Sequence, residues 1–393
     1  MGMLIGILGI LITMGVAFLL SNDKKNINYK AVGILFVGQI LVTWFMLSTK
    51  IGGLILTKIT GVFSKIMMFG NEGITFVMGG WVPEGNFVMF VNVLLLIVFT
   101  STLLSILNYL RILPLIIKYI GGFISKITGI PNVLAFSTVA SSVFGDTGAL
   151  LAIKNHIPKM NKNTLFIATT ASMTSVSASI VASYMTMIPA EYVLVALPLN
   201  VLSGLILASM VAPVKAETEQ SISIKEMVQE SNIFEAIGNG AIDGLKVAGI
   251  VAGMLMAYIS LMAMINFGFE HMVGMKLEVI LGYAFAPVAF IMGIPWSEAT
   301  VAGSVMATKV ITNEFVAMLG FQALIPTLSA KTVGIVSVFL ISFANFSSIG
   351  IIQGTVAGFH KGQSVVIAKF GLKMLLVATM ASVLSATIVG LFL

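Results

Sequence analysis

Apolar stretches of about 20 residues recur along the chain, near 2–20, 31–48, 87–107, 165–187, 190–212, 245–266, 333–353 and 371–393. Helical residues rise about 1.5 Å each, so each stretch has the length needed to cross the hydrocarbon core of a bilayer. Only 9% of the 393 residues are charged, and mean hydropathy is +1.07. A soluble domain carries about 25% charged residues. These features predict an all-α polytopic membrane protein with eight transmembrane helices. The first stretch lacks a basic start and a small-residue cleavage site, so it reads as a span and not as a removed signal peptide.

Two further apolar pieces, 131–157 and 296–326, are interrupted by Gly, Pro, Asp, Lys or Glu. They read as re-entrant hairpins. The basic residues orient them. Lys24, Lys25, Lys30, Arg111, Lys118, Lys126, Lys154, Lys159, Lys162, Lys215, Lys225, Lys361, Lys369 and Lys373 fall on one side if both termini lie outside. Lys50, Lys58, Lys65, Lys276 and Lys331 fall on the other. Positive residues collect on the cytoplasmic face, so the first hairpin enters from inside and the second from outside. Each is followed by a helix with a polar interruption and then by a clean apolar span. That order, repeated from opposite faces, predicts an inverted repeat with a site near the midplane. The implied divisions are a scaffold over 1–130, a first repeat over 131–212, a linker with the sixth span over 213–295, and a second repeat over 296–393. Residues 51–69 carry Lys58 and Lys65 two helical turns apart, which suits an interfacial helix, the alternative being a short strained span.

Polar groups inside such segments mark candidate sites, because a charge at the bilayer centre costs roughly 2.5–3.5 kcal/mol. Asp146 lies between Gly145 and Thr147-Gly148 at the predicted tip of the first hairpin. It is placed either to meet a ligand or to cap the second arm. Glu314 sits among Ile311, Phe315, Val316 and Met318. It either holds a ligand or pairs with Lys309. Asn345 and Ser348 are three apart and share a face if the segment stays helical, while Phe343 offers an apolar wall. Ser172, Ser175, Ser177 and Ser179 form a weaker cluster that helix packing also explains.

Other chemistry is poorly supplied. The chain has no cysteine, and His156, His271 and His360 form no metal spacing. No nucleophile–base pair, zinc-protease motif or phosphate-binding loop is present, which argues against an enzyme and predicts no cofactor or metal. The net charge of +6 resides in short loops between spans and reports orientation, not nucleic-acid binding. Two inverted hairpins suit alternating access better than a channel or a passive receptor.

Longer strings carry a resemblance. Met306-Ala307-Thr308-Lys309 with Asn313-Glu314-Phe315-Val316-Ala317, and Val338 through Gly350 with Ser342-Phe343-Ala344-Asn345-Phe346-Ser347-Ser348, are similar to the bacterial concentrative nucleoside transporters. Ser175-Val176-Ser177-Ala178-Ser179-Ile180-Val181 and Tyr184-Met185-Thr186-Met187 extend the likeness over nearly the whole chain. The resemblance implies eight spans, two hairpins, interfacial helices and a homotrimer in the bacterial cytoplasmic membrane. It also implies that Glu314, Asn345 and Ser348 face the ribose of a nucleoside and that Phe343 walls the site.

The first hairpin departs from the family pattern Gly-Gln-Ser/Thr-Glu, reading Gly145-Asp146-Thr147-Gly148. An ionised carboxylate only accepts hydrogen bonds, which complements N1–H of hypoxanthine or guanine. Glycine at 148 is expected to leave room for a larger base. The resemblance is therefore to the purine-selective branch, with inosine or guanosine as substrate and Asp146, Thr147 and Gly148 facing the base. Ser141 stands where sodium-coupled members carry Asn, which points to proton coupling. Asp146 or Glu314 would carry the proton, and Ser141 and Ser177 would contribute oxygens if a cation binds. The alternative is a pyrimidine or broad-specificity symporter, coupled to sodium.

Overall fold

The computed structural model describes residues 2–79, 87–214, 228 and 230–393. Lys215, Lys225 and most of the polar linker 214–232 lie outside the described residues. Among the described residues the secondary structure is helical throughout.

The first half of the chain runs α1 (Gly2–Leu19), α2 (Tyr29–Ser48), α3 (Lys50–Met78), α4 (Leu96–Tyr109), α5 (Ile112–Thr128), α6 (Asn132–Ala152), α7 (Lys162–Met173), α8 (Ala178–Met185) and α9 (Ala190–Val211). The second runs α10 (Ile233–Val273), α11 (Leu277–Ile291), α12 (Trp296–Ile311), α13 (Glu314–Leu324), α14 (Ala330–Leu340), α15 (Phe346–Ala357) and α16 (Lys361–Phe392). Helix starts follow local chemistry. Asn28, Thr49, Asn161, Asn232, Asn313, Ser329 and Asn345 each accept a first-turn N–H at a helix N-terminus. Pro131, Pro189 and Pro295 precede α6, α9 and α12, where a fixed φ and a missing N–H are harmless.

By length and composition, nine helices among the described residues suit a membrane crossing, or ten if the bent α11–α12 pair forms one. That set includes α3 and α6, predicted to be an interfacial helix and a hairpin. It omits α14 and α15, each too short alone. Helix α3 runs nine residues beyond the predicted 69 and buries only Gly52, Leu56 and Gly70.

Element order repeats. Helix α5 leads into interrupted α6, the broken pair α7–α8 and unbroken α9. Helix α11 leads into α12–α13, the broken pair α14–α15 and unbroken α16. The short helices α5 and α11 were not anticipated as elements. At 17 and 15 residues they fall below the span length, and α11 also contains Pro287. Helices α5 and α11 pack on the first arms of the two hairpins, α11 and α12 meeting at a bend of 117°.

Helices α7, α8, α9 and α16 form the buried centre, whereas α3 and α10 lie at the periphery. Close contacts use small residues, as expected where lipid offers no hydrophobic drive for helix association. On α10, a Cβ added at Gly240 or Gly244 would come within 2.7 Å of Thr102 Cα or 2.5 Å of Val98 Cα on α4.

Candidate functional site

Both hairpins and both broken helices meet at one cavity of about 520 Å³. Four chain breaks create it, and each has a local cause.

In α6 the helix is interrupted at Gly145, with φ 75° and ψ −176°. Side chains essentially do not adopt that conformation. A Cβ at 145 would also stand 3.2 Å from Ser177 Cβ and 3.4 Å from Phe343 Cε2. In the second hairpin, Thr312 leaves helical geometry at φ −102° and ψ −96°, and Asn313 restarts the chain by accepting from Val316 N–H at 3.0 Å. Between α7 and α8 the break spans 174–177, and Ser177 caps α8. Between α14 and α15 it spans 341–345, and Asn345 caps α15.

Backbone exposed by a broken helix at membrane depth must find partners within the protein. Phe343 N–H donates to Ser175 O at 3.3 Å, so the two breaks touch. Asn200 on α9 joins them: its Nδ2 donates to Ile341 O, and its own carbonyl accepts from Thr174 Oγ1 at 3.1 Å. Ser177 Oγ donates to Val143 O at 3.3 Å, tying α8 to the first hairpin.

Glu314 is buried at the first position of α13 and lines the cavity. Its Oε1 accepts from Tyr184 Oη at 2.9 Å, and its Oε2 accepts from Asn345 Nδ2 at 3.2 Å. Asn345 Oδ1 accepts from Ser348 N–H at 3.0 Å, Ser348 Oγ at 3.1 Å and Ser347 Oγ at 2.6 Å. Asn345 and Ser348 are therefore adjacent through capping and not through a shared helical face. Asn345 has extended backbone, φ −146° and ψ 166°, because the helix starts after it.

The Lys309–Glu314 pairing is not formed. Fully buried Lys309 points its Nζ the other way, donating to Ser342 Oγ at 2.6 Å, Phe339 O at 3.0 Å and Ser382 Oγ at 3.3 Å. Lys309 lies in the last turn of α12, and the chain turns at Thr312 before Glu314, so the two side chains share no helix face.

At the first hairpin, Asp146, Thr147 and Gly148 all line the cavity, as do Phe343 and Glu314. Asp146 Oδ1 accepts from the next residue, Thr147 N–H at 2.7 Å and Thr147 Oγ1 at 3.4 Å. It does not reach a donor further along the second arm, as a helix cap would. Thr147 Oγ1 also lies 3.4 Å from Thr355 Oγ1 on α15. The expected free space at Gly148 is absent, because a Cβ there would stand 2.5 Å from Phe144 Cβ. The Phe144 side chain occupies the volume that glycine was predicted to open.

The cation candidates divide. Ser177 lines the cavity and exchanges a hydrogen bond with Ser179 Oγ at 2.8 Å. Ser141 is fully buried outside that lining and donates to its own helix at Thr138 O, 2.7 Å away. Ser175 Oγ is buried with no hydrogen-bond partner among the described residues. Three contributors were not assigned roles from sequence: Tyr184, Asn200 and Phe144. Tyr184 is fully buried and packs against Phe315 with the rings tilted by 57° and centroids 4.9 Å apart, and a buried phenol needs a polar partner for its hydroxyl. That need was the available signal.

Four interrupted helical segments around one largely apolar cavity with a few polar groups fit a secondary-transporter architecture. The model for the Na+ dependent nucleoside transporter N-terminus matches residues 8–81, and that for its C-terminus matches residues 192–390. The chain is 36% identical to the purine nucleoside transport protein NupG of Bacillus subtilis, over 99% of both chains. It is 33% identical to the nucleoside permease NupC of Helicobacter pylori, over 99% of this chain and 98% of the permease. It superimposes on CNTnw in an inward-facing substrate-bound state with a TM-score of 0.94 and 32% identity, over 100% of this chain and 98% of that one. The chain belongs to the concentrative nucleoside transporter family. Its relatives are transporters, not enzymes.

Proposed function

We propose that this protein imports purine nucleosides, inosine and guanosine, by proton symport through alternating access. The observation that carries the reading is the Asp146 carboxylate on the wall of the cavity that Glu314 and Phe343 also line, with Asn345 and Ser348 outside that lining and Asn345 hydrogen-bonded to Glu314. Asp146 Oδ1 is engaged by Thr147, and Oδ2 has no donor among the described residues. An acceptor without its own donor can take the N1–H of a 6-oxopurine but, unlike an amide, has nothing to donate to the flanking carbonyl oxygens of uracil. The 36% identity to a purine nucleoside transport protein supports the same ranking. At the other pole, Glu314, Asn345 and Ser348 take the ribose hydroxyls, with Phe343 as the apolar wall. Thr147 and Gly148 line the base pole, and its breadth is limited by Phe144.

Proton coupling rests on Ser141 standing where sodium-coupled members carry Asn; its hydroxyl donates to Thr138 O at 2.7 Å. A proton moving inward gains about 2.3 kcal/mol per 100 mV, and Asp146 and Glu314 are the cavity carboxylates able to carry it. A sodium-coupled reading has one observation in its favour: Ser175 Oγ is buried without a partner, close to Ser177, and would suit a cation ligand. In this proposal the protein is a homotrimer in a bacterial cytoplasmic membrane with eight spans, both termini outside and the hairpins entering from opposite faces.

The test is uptake of labelled inosine by purified protein in sodium-free proteoliposomes with an inward proton gradient and excess unlabelled uridine. Accumulation that uridine barely blocks is expected. Accumulation abolished by uridine contradicts the purine preference, and uptake that begins only on adding sodium contradicts proton coupling.

A further inference from the structure

Lys309 has no carboxylate within ion-pair distance; the ion pair found among the described residues is Lys246–Asp243 at 3.4 Å, on exposed α10. A fully buried ammonium without a counter-ion is costly unless its three donors are met. Here they are met by Phe339 O, Ser342 Oγ and Ser382 Oγ, with Nζ also 4.4 Å above the Phe339 ring. Ser342 and Ser382 hydroxyls are themselves 2.7 Å apart. The set of one carbonyl and two hydroxyl oxygens resembles the oxygen shell of a monovalent cation. It sits where α14 ends, and a helix C-terminus presents unpaired carbonyls and partial negative charge.

The repeat gives this position a counterpart. Lys309 lies five residues before Glu314, and Ser141 lies five before Asp146. One repeat therefore carries a hydroxyl, with Ser175 Oγ nearby in sequence order at the facing break and lacking a partner. The other carries an ammonium with every donor used. Ser342 is the second residue of the five-residue break 341–345, which Asn345 closes as the cap of α15.

We propose that Lys309 is a positioning residue for nucleoside binding: its ammonium is a tethered cation that fixes the α14–α15 break and so presents Asn345 and Ser348 beside Glu314. The second repeat thus carries, by covalent attachment, a donating amine nitrogen at the place where the first repeat offers only a hydroxyl. Lys309 does not line the cavity and touches no substrate; it acts through Ser342 and the break. The proposal rests on the nucleoside-site reading above.

Inosine binding to purified Lys309→Ser and Lys309→Met proteins, alongside the native chain, tests it. Removing charge-assisted hydrogen bonds at a buried site should weaken binding about tenfold or more in both variants. Methylammonium, which carries the lost donors and fits the space vacated in Lys309→Ser, should restore most of that loss. Tetramethylammonium, without donors, should not, and neither amine should rescue Lys309→Met, whose side chain fills the space. Native-like binding by Lys309→Met would overturn the proposal by showing that volume suffices. A Lys309→Ser loss indifferent to methylammonium would overturn it equally. If neither variant accumulates in the membrane, Ser342→Ala removes the shortest acceptor, and binding about threefold weaker is expected; unchanged binding there contradicts the proposal. Failure of the native chain to bind any nucleoside would count against the nucleoside reading, which separates the two.

Discussion

At the second hairpin, Glu314 enters the cavity with both carboxylate oxygens already engaged, by Tyr184 from α8 and by Asn345 from the broken helix. At the first hairpin, Asp146 is engaged by its own neighbour, Thr147, and by nothing from the facing break. The break facing Asp146 leaves Ser175 Oγ unpartnered, while the break facing Glu314 is held by Lys309. Preorganised groups bind with less ordering cost. On the proposed reading, the Glu314 pole grips a constant part of the ligand, and the Asp146 pole can vary with little effect on the rest. In a nucleoside the constant part is the ribose and the variable part is the base.

The sharpest way to break this contrast is at Glu314. Glu314→Gln keeps the shape and removes the charge that the ribose hydroxyls and Tyr184 address. Uptake of inosine and of uridine should fall alike, by about 3 kcal/mol or on the order of 100-fold. A loss confined to one base would contradict the assignment of this pole to the sugar. Asn345→Ala comes next, at about 2 kcal/mol, roughly 30-fold, because it removes a Glu314 donor and the cap of α15 together. Thermal unfolding should show the cap contribution as a separate loss of about 1 kcal/mol.

Asp146→Gln should act in another way. It is expected to leave overall uptake within severalfold and to shift the uridine-to-inosine ratio about tenfold toward uridine. Competition assays read that ratio directly, and an unchanged ratio would remove the basis for the purine preference. Tyr184→Phe should give the smallest effect, about 1 kcal/mol or fivefold, since Glu314 keeps Asn345. A change in base ranking there would mean that the two poles are not independent.

The two regions also differed in how legible they were. Spans and breaks could be read because polar clusters such as Ser342–Gly350 stand out against apolar neighbours. Asn345 and Ser348 are adjacent, but not through the shared helical face expected, since a helix that starts at Phe346 makes Asn345 a cap. The pairing of Glu314 with Tyr184 joins positions 130 apart in sequence, and no local pattern signals it. Lys309 looked like the natural partner of Glu314 until the turn at Thr312 separated them. Phe144 over Gly148 was not anticipated. Phe144 stands four residues before Gly148, a spacing at which helical side chains meet, but a reversal expected at Gly145 gave no reason to look for the contact. Helices α5 and α11 were missed because each is shorter than a bilayer span.

The central claim is that the cavity has separable sugar and base poles, and one calorimetric cycle tests it. Inosine, 2′,3′-dideoxyinosine and uridine would be titrated into the native protein, Glu314→Gln and Asp146→Gln. The account predicts that loss of the hydroxyls costs the native protein and Asp146→Gln similar affinity, about tenfold or more, and costs Glu314→Gln little further. It also predicts that base ranking changes only in Asp146→Gln. Equal sensitivity of both variants to both parts of the ligand would contradict the division of the site.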